Sequence, residues 1–153
     1  MPLKVQMQSA QNGVPRYVLS GHLDETVQMQ KLVGELPQQA VLNLSQVERY
    51  NSTGLMHWVK WIRDATRDRD VTIEAISYIL VIQANHLLDL FGRADVVSCV
   101  APYFCARCNV NRQVLVAREE IGERSPVKQC EQCGTEMDFD DLDEYFAFFR
   151  RPA

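Results

Sequence analysis

The sequence has no surplus of positive charge: 16 lysines and arginines stand against 20 aspartates and glutamates, a formal net charge of −4. Residues 1–100 carry nine basic and ten acidic side chains, and residues 101–153 carry seven and ten. A nucleic-acid surface needs the opposite balance, so nucleic acid is not expected as a partner. The N-terminus lacks a basic stretch followed by an apolar one, which removes the reading of a signal peptide. The longest apolar run, around "ISYILVIQA", is too short to cross a bilayer, so the expectation is a cytoplasmic protein without membrane insertion. Histidine is scarce, and His22, His57 and His86 fall in separate segments. No Gly-rich phosphate loop is present, and Ser52 has no base at a recognisable spacing, so no catalytic set is expected. Internal repeats and low-complexity tracts are also missing.

What is there is a globular composition, 46% apolar over 153 residues, enough for a real core. "LKVQMQS" (3–9) alternates as a half-buried strand does, and "RYVLSG" from Arg16 reads as a second strand after the turn-like "QNGVP". Residues 24–36 read as a helix capped by Asp24, with Val27, Leu32, Val33 and Leu36 as its stripe and Pro37 as its stop. "AVLNLSQV" reads as a central strand. Residues 55–65 form an amphipathic helix with Leu55, Trp58, Val59 and Ile62 on one side. "VTIEAI" reads as a strand, "YILVIQANHLLDLFG" as a helix stopped by Gly92, and "ADVVSCV" as a last strand. This order predicts an α/β sheet with helical crossovers. From about Ala101 the chain turns Cys-bearing and turn-rich, which predicts a boundary between residues 1–100 and residues 101–153. The acids-first, arginines-last "DDLDEYFAFFRR" reads as a C-terminal helix matched to its macrodipole.

Cys105-Ala-Arg-Cys108 and Cys130-Glu-Gln-Cys133 are two Cys-x-x-Cys pairs. In a reducing compartment such pairs read as metal or redox chemistry before disulfides. Each pair supplies two thiolates from one knuckle, and four complete the tetrahedron that zinc prefers. "RQVLVARE" between them can form the strand that brings the pairs together, and Gly134 suits the knuckle turn. The pattern resembles a zinc ribbon holding structural Zn²⁺; an iron–sulfur cluster uses the same four ligands. Cys99, in an apolar run, reads as a buried strand cysteine.

Three further motifs stand in order over residues 1–100: "YVLSGHLDE", "AVLNLSQVERYNSTGL" and "VTIEAIS…LLDLFG". They resemble the G-x-L-D loop, the D-S-S-G-L turn and the fourth strand and helix of STAS domains. That family includes anti-sigma-factor antagonists and modules of sulfate transporters. The resemblance implies a STAS-like mixed β-sheet packed with helices, joined here to a small C-terminal zinc ribbon. It also implies a phospho-acceptor at Ser52, with Thr53 in place of the second serine, and Asp24 at the same end of the sheet. Asn51 stands where the family has aspartate. It keeps the capping ability without the charge, so "YNSTGL" reads either as a plain helix cap or as a modifiable turn.

The expected function is therefore non-enzymatic. It is that of a regulatory or adaptor protein that binds a kinase/anti-sigma factor or other signalling complex. Asp24, Asn51, Ser52, Thr53 and Gly54 would form its docking face, with His57 and Trp61 on the following helix. A soluble accessory subunit of a transporter and a nucleic-acid regulator acting through the ribbon are the alternatives.

Overall fold

In a computed structural model that describes residues 1–8 and 11–151, the chain is an α/β protein with two sheets. The first sheet orders β1 (Lys4–Gln8), β2 (Arg16–Leu23), β3 (Gln39–Tyr50), β4 (Asp70–Glu74) and β5 (Asp95–Val96) as 1-2-3-4-5. β1 pairs antiparallel with β2, and the other three pairings are parallel, so the sheet is mixed. The second sheet orders β6 (Ser98–Cys105), β7 (Val110–Ala117) and β8 (Asp138–Phe139) as 7-6-8, all antiparallel.

Alternation along β3 explains its two faces. Ala40, Leu42 and Leu44 are buried, whereas Val41, Asn43 and Ser45 between them are half-buried. Polar side chains on the second face meet across strands: Glu74 accepts hydrogen bonds from Arg16 at 3.2 Å and from the Asn43 amide at 2.8 Å. Helix α2 (Ser52–Ala65) buries Leu55, Trp58, Val59, Ile62 and Ala65, the stripe its sequence spacing predicts. Full burial of each such large side chain contributes about 1.5–3 kcal/mol.

Three elements differ from the sequence reading. Helix α1 is only Met29–Leu32, because the Asp24 carboxylate accepts from the Thr26 N–H and hydroxyl in a local turn. Met29 is buried there and Leu32 is exposed. Helix α3 is Tyr78–Ala84 and ends well before Gly92. Beyond it the backbone closes local turns, Leu87 N–H to Gln83 C=O and Gly92 N–H to Asp89 C=O, and adds two tertiary bonds: Leu90 C=O accepts from the Trp58 indole at 2.7 Å, and Arg93 N–H donates to the Thr66 hydroxyl. The expected last strand is divided between β5 and β6 at Val97, whose N–H donates to Ile73 C=O. The C-terminal helix is a 3₁₀ helix, Asp143–Arg150. Ser9, at the end of the expected first strand, lies outside the described residues.

β6 begins beside the first sheet, where Ile76 N–H donates to Ser98 C=O and Val100 N–H to Ile76 C=O. It then runs through Ala101, where the composition changes, to Cys105. Buried residues from Leu19 and Leu42 through Tyr103 to Phe146 form one continuous cluster. The 3₁₀ helix closes that cluster: the Tyr145 hydroxyl donates to Val100 C=O at 2.6 Å, and its ring stacks on Tyr78 with centroids 5.4 Å apart.

Candidate functional site

The two cysteine pairs come together as the first knuckle follows β6 and the second precedes β8. Cys105 Sγ lies 3.5 Å from Cys133 Sγ, and Cys108 Sγ lies 4.0 Å from Cys130 Sγ. All four sulfurs lie within 4.8 Å of one another, and none is in a disulfide. Four thiolates about 2.3 Å from a tetrahedral zinc sit about 3.8 Å apart, which is the size of this cage. A cluster of several irons would spread its ligands over different metal atoms and hold them farther apart. Cys105 and Cys130 are buried, while Cys108 and Cys133 are half-buried.

The knuckles are built alike. The residue after each pair, Asn109 (φ 55°) and Gly134 (φ 75°), has left-handed backbone, which asparagine and glycine adopt most readily. Gly134 was legible as a turn residue. Asn109 was missed, although an asparagine directly after a Cys-x-x-Cys pair is its signal. Backbone N–H groups of Cys133 and Gln132 aim at the Cys130 sulfur and pull its pKa down to about 6, with help from Cys105 and Arg112. The hydroxyl and N–H of Thr135 lower that of Cys133. Cys108, whose proton is held among the other sulfurs, Cys133 first, is pushed up to about 12. The Cys130 sulfur in turn raises the pKa of Arg112, an alternate-face residue of β7 that sequence spacing alone does not connect to the cage. Cys99 stays apart, with burial pushing its thiol up to about 12.

At the opposite functional candidate, Asn51 is the N-cap of α2. Its side-chain oxygen accepts from Gly54 N–H at 2.8 Å, and its amide donates to Glu25 at 2.6 Å. Glu25 was not singled out from sequence, since only the tertiary turn brings it here. Asn51 N–H donates to Leu23 C=O, so the turn is seated on the end of β2. Gly54 is buried at that seat: a Cβ there would lie 2.1 Å from Leu23 O. It therefore packs rather than faces outward. Ser52, Thr53 and His57 are exposed, and Trp61 is half-buried against Trp58 at 5.6 Å. Met56, 60% exposed, adds an apolar contact that the sequence reading left out. Asp24 lies beside the seat, its pKa lowered by the Thr26 hydroxyl and N–H, so it is ionised at neutral pH.

No described helix is long and apolar enough to cross a membrane. The chain matches no protein-family model, no curated protein and no solved structure.

Proposed function

We propose that this chain is a non-enzymatic regulatory adaptor of the STAS type, resembling anti-sigma-factor antagonists, with a zinc ribbon as its second module. Its docking surface is the α2 N-terminus, where Ser52 and Thr53 stand exposed and Met56 and His57 continue the same outward face. The partner is a protein, a serine kinase/anti-sigma factor or a related signalling complex, in a cytoplasmic setting.

The observation that carries this reading is the turn itself. Two hydroxyls are presented to solvent at the start of a 14-residue helix whose cap is already satisfied by Asn51. Capping therefore leaves Ser52 and Thr53 without a structural task. A phosphate there meets helix N–H groups and the positive end of the dipole, so the fold tolerates it. It adds about −1.5 to −2 charges beside Asp24 and Glu25, which repels an acidic partner surface. A mixed sheet packed with helices supports the reading at the level of fold class.

In the ribbon, Cys105, Cys108, Cys130 and Cys133 hold one structural Zn²⁺. A closed four-thiolate shell leaves no position for substrate, so the ion would support the fold of a small sheet.

The deciding experiment is co-purification of the full chain as wild type, Ser52→Ala and Ser52→Asp, with mass spectrometry of the recovered chain. Expected are phosphate on Ser52 or Thr53 in a fraction of the wild type, a partner retained by Ser52→Ala, and its loss from Ser52→Asp. Retention of every partner by Ser52→Asp removes the switch.

A further inference from the structure

A second candidate site lies away from both the cage and the α2 turn. β3 pairs with β4 only as far as Asn43 and Glu74. Beyond that point it continues alone on this side, and a groove of about 580 Å³ opens between it, the start of α3 and the second sheet. That volume suits a small ligand. Its place, past the carboxyl end of β4, beside the further length of β3 and between two sheets, suits one as well.

Apolar side chains form the floor. Val47 and Ile79 contribute from the first sheet and α3, and Val100 and Leu115, directly opposed in the β6–β7 ladder, contribute from the second. Leu115 is 57% exposed, although Val100 stands opposite it. At the start of α3, Ser77 lines the groove and is only 7% exposed, yet its hydroxyl has no hydrogen-bond partner and does not cap the helix. A buried hydroxyl left this way is costly and marks a place where a water or ligand completes the bonding. Ala75, two residues earlier, holds left-handed backbone at φ 52°, unusual for a residue with a Cβ, and lines the same groove.

Charge decides the ligand class. Among the described residues lining the groove there is no lysine, arginine or histidine, and the one carboxylate is Glu48, exposed and 3.8 Å from the Nε2 of His22, which lies outside the lining. Within the lining an anion would meet a carboxylate and no cation. An ammonium or hydroxyl head finds Glu48, Ser45, Ser77 and Gln113 as hydrogen-bonding groups above an apolar floor.

We infer that the groove between β3, the start of α3 and the β6–β7 ladder binds a small molecule with an apolar body and an ammonium or hydroxyl head, and rejects anions. The site stands whether or not the α2 turn docks a partner.

Three probes with one body and different heads test it: phenethylamine, 2-phenylethanol and phenylacetate, titrated into the ¹⁵N-labelled full chain. Expected are amide shifts at Val47, Ala75, Ser77, Val100 and Leu115 with the amine, weaker ones with the alcohol and none with the acid. Glu48→Gln should bring the amine to the level of the alcohol. Leu115→Arg, at an exposed position that leaves the fold intact, should abolish the shifts from both. Ser77→Ala should weaken amine and alcohol several-fold. Equal binding of the acid, shifts scattered over the surface, or shifts unchanged in Leu115→Arg would overturn the assignment.

Discussion

Gly54 illustrates how a single missing Cβ seats the N-terminus of a helix. Its neighbour is the Leu23 carbonyl, backbone that cannot swing aside, at 2.1 Å from an added Cβ. Gly54→Ala should therefore destabilise the protein by at least about 3 kcal/mol, more than ordinary overpacking. Gly122→Ala, where nothing lies within 4 Å of an added Cβ, should stay within about 0.5 kcal/mol. Urea unfolding of the two variants checks both. Asn51 carries a second residue-scale prediction. An aspartate at this position would still accept from Gly54 N–H, but it would replace an amide donor facing Glu25 with a second carboxylate. Asn51→Asp should cost about 1 kcal/mol at neutral pH, and adding Glu25→Gln should recover most of it. A double-mutant cycle by thermal or urea unfolding reads the coupling. The neutral cap is thus accompanied, in this chain, by an acid at Glu25.

At the scale of elements, the knuckles and the β7 border are held by local bonds of different kinds. Treatment with a strong chelator should lower the melting temperature and release one equivalent of zinc, measured by a colorimetric zinc assay. Cys105→Ser or Cys130→Ser should purify without the metal, whereas Cys99→Ala should keep it, since Cys99 lies outside the cage. After β7, Glu120 accepts from Lys128 at 2.5 Å and from Ala117 N–H, and these bonds hold its pKa below the usual glutamate value. A depressed folded pKa contributes stability that is present above the unfolded pKa and lost as pH falls through the folded one. Glu120→Gln should therefore flatten the decline of melting temperature between about pH 5 and about pH 3.

At the scale of the whole molecule, the composition break at Ala101 is not a break in packing. Phe146, fully buried, stacks on Phe139 of the second sheet at 5.1 Å, next to Tyr145, whose ring lies on Tyr78 of α3. Phe146→Ala should cost about 3–5 kcal/mol. Because the core is continuous, its effect should reach both sheets: hydrogen exchange should speed up in α3 as well as in β6. Calorimetry of the wild type should show one transition, and two separated transitions would contradict a shared core.

Local periodicity made α2, its Asn51 cap and the two knuckles readable, because each rests on bonds between residues a few positions apart. The spacing of Cys105, Cys108, Cys130 and Cys133 likewise carried the cage, with only the intervening strand needed to join its halves. Other features depended on partners far away in the chain. Trp58 took the Leu90 carbonyl, inside the stretch expected to be helical. Ile73 and Ile76 divided the last strand between two sheets. Glu25 beside Asn51, Arg112 beside Cys130 and the groove lined by Ser77 were invisible for the same reason. Side chains that alternate or cap locally announce themselves in one dimension. A hydrogen bond between residues dozens of positions apart exists only once the sheet has closed.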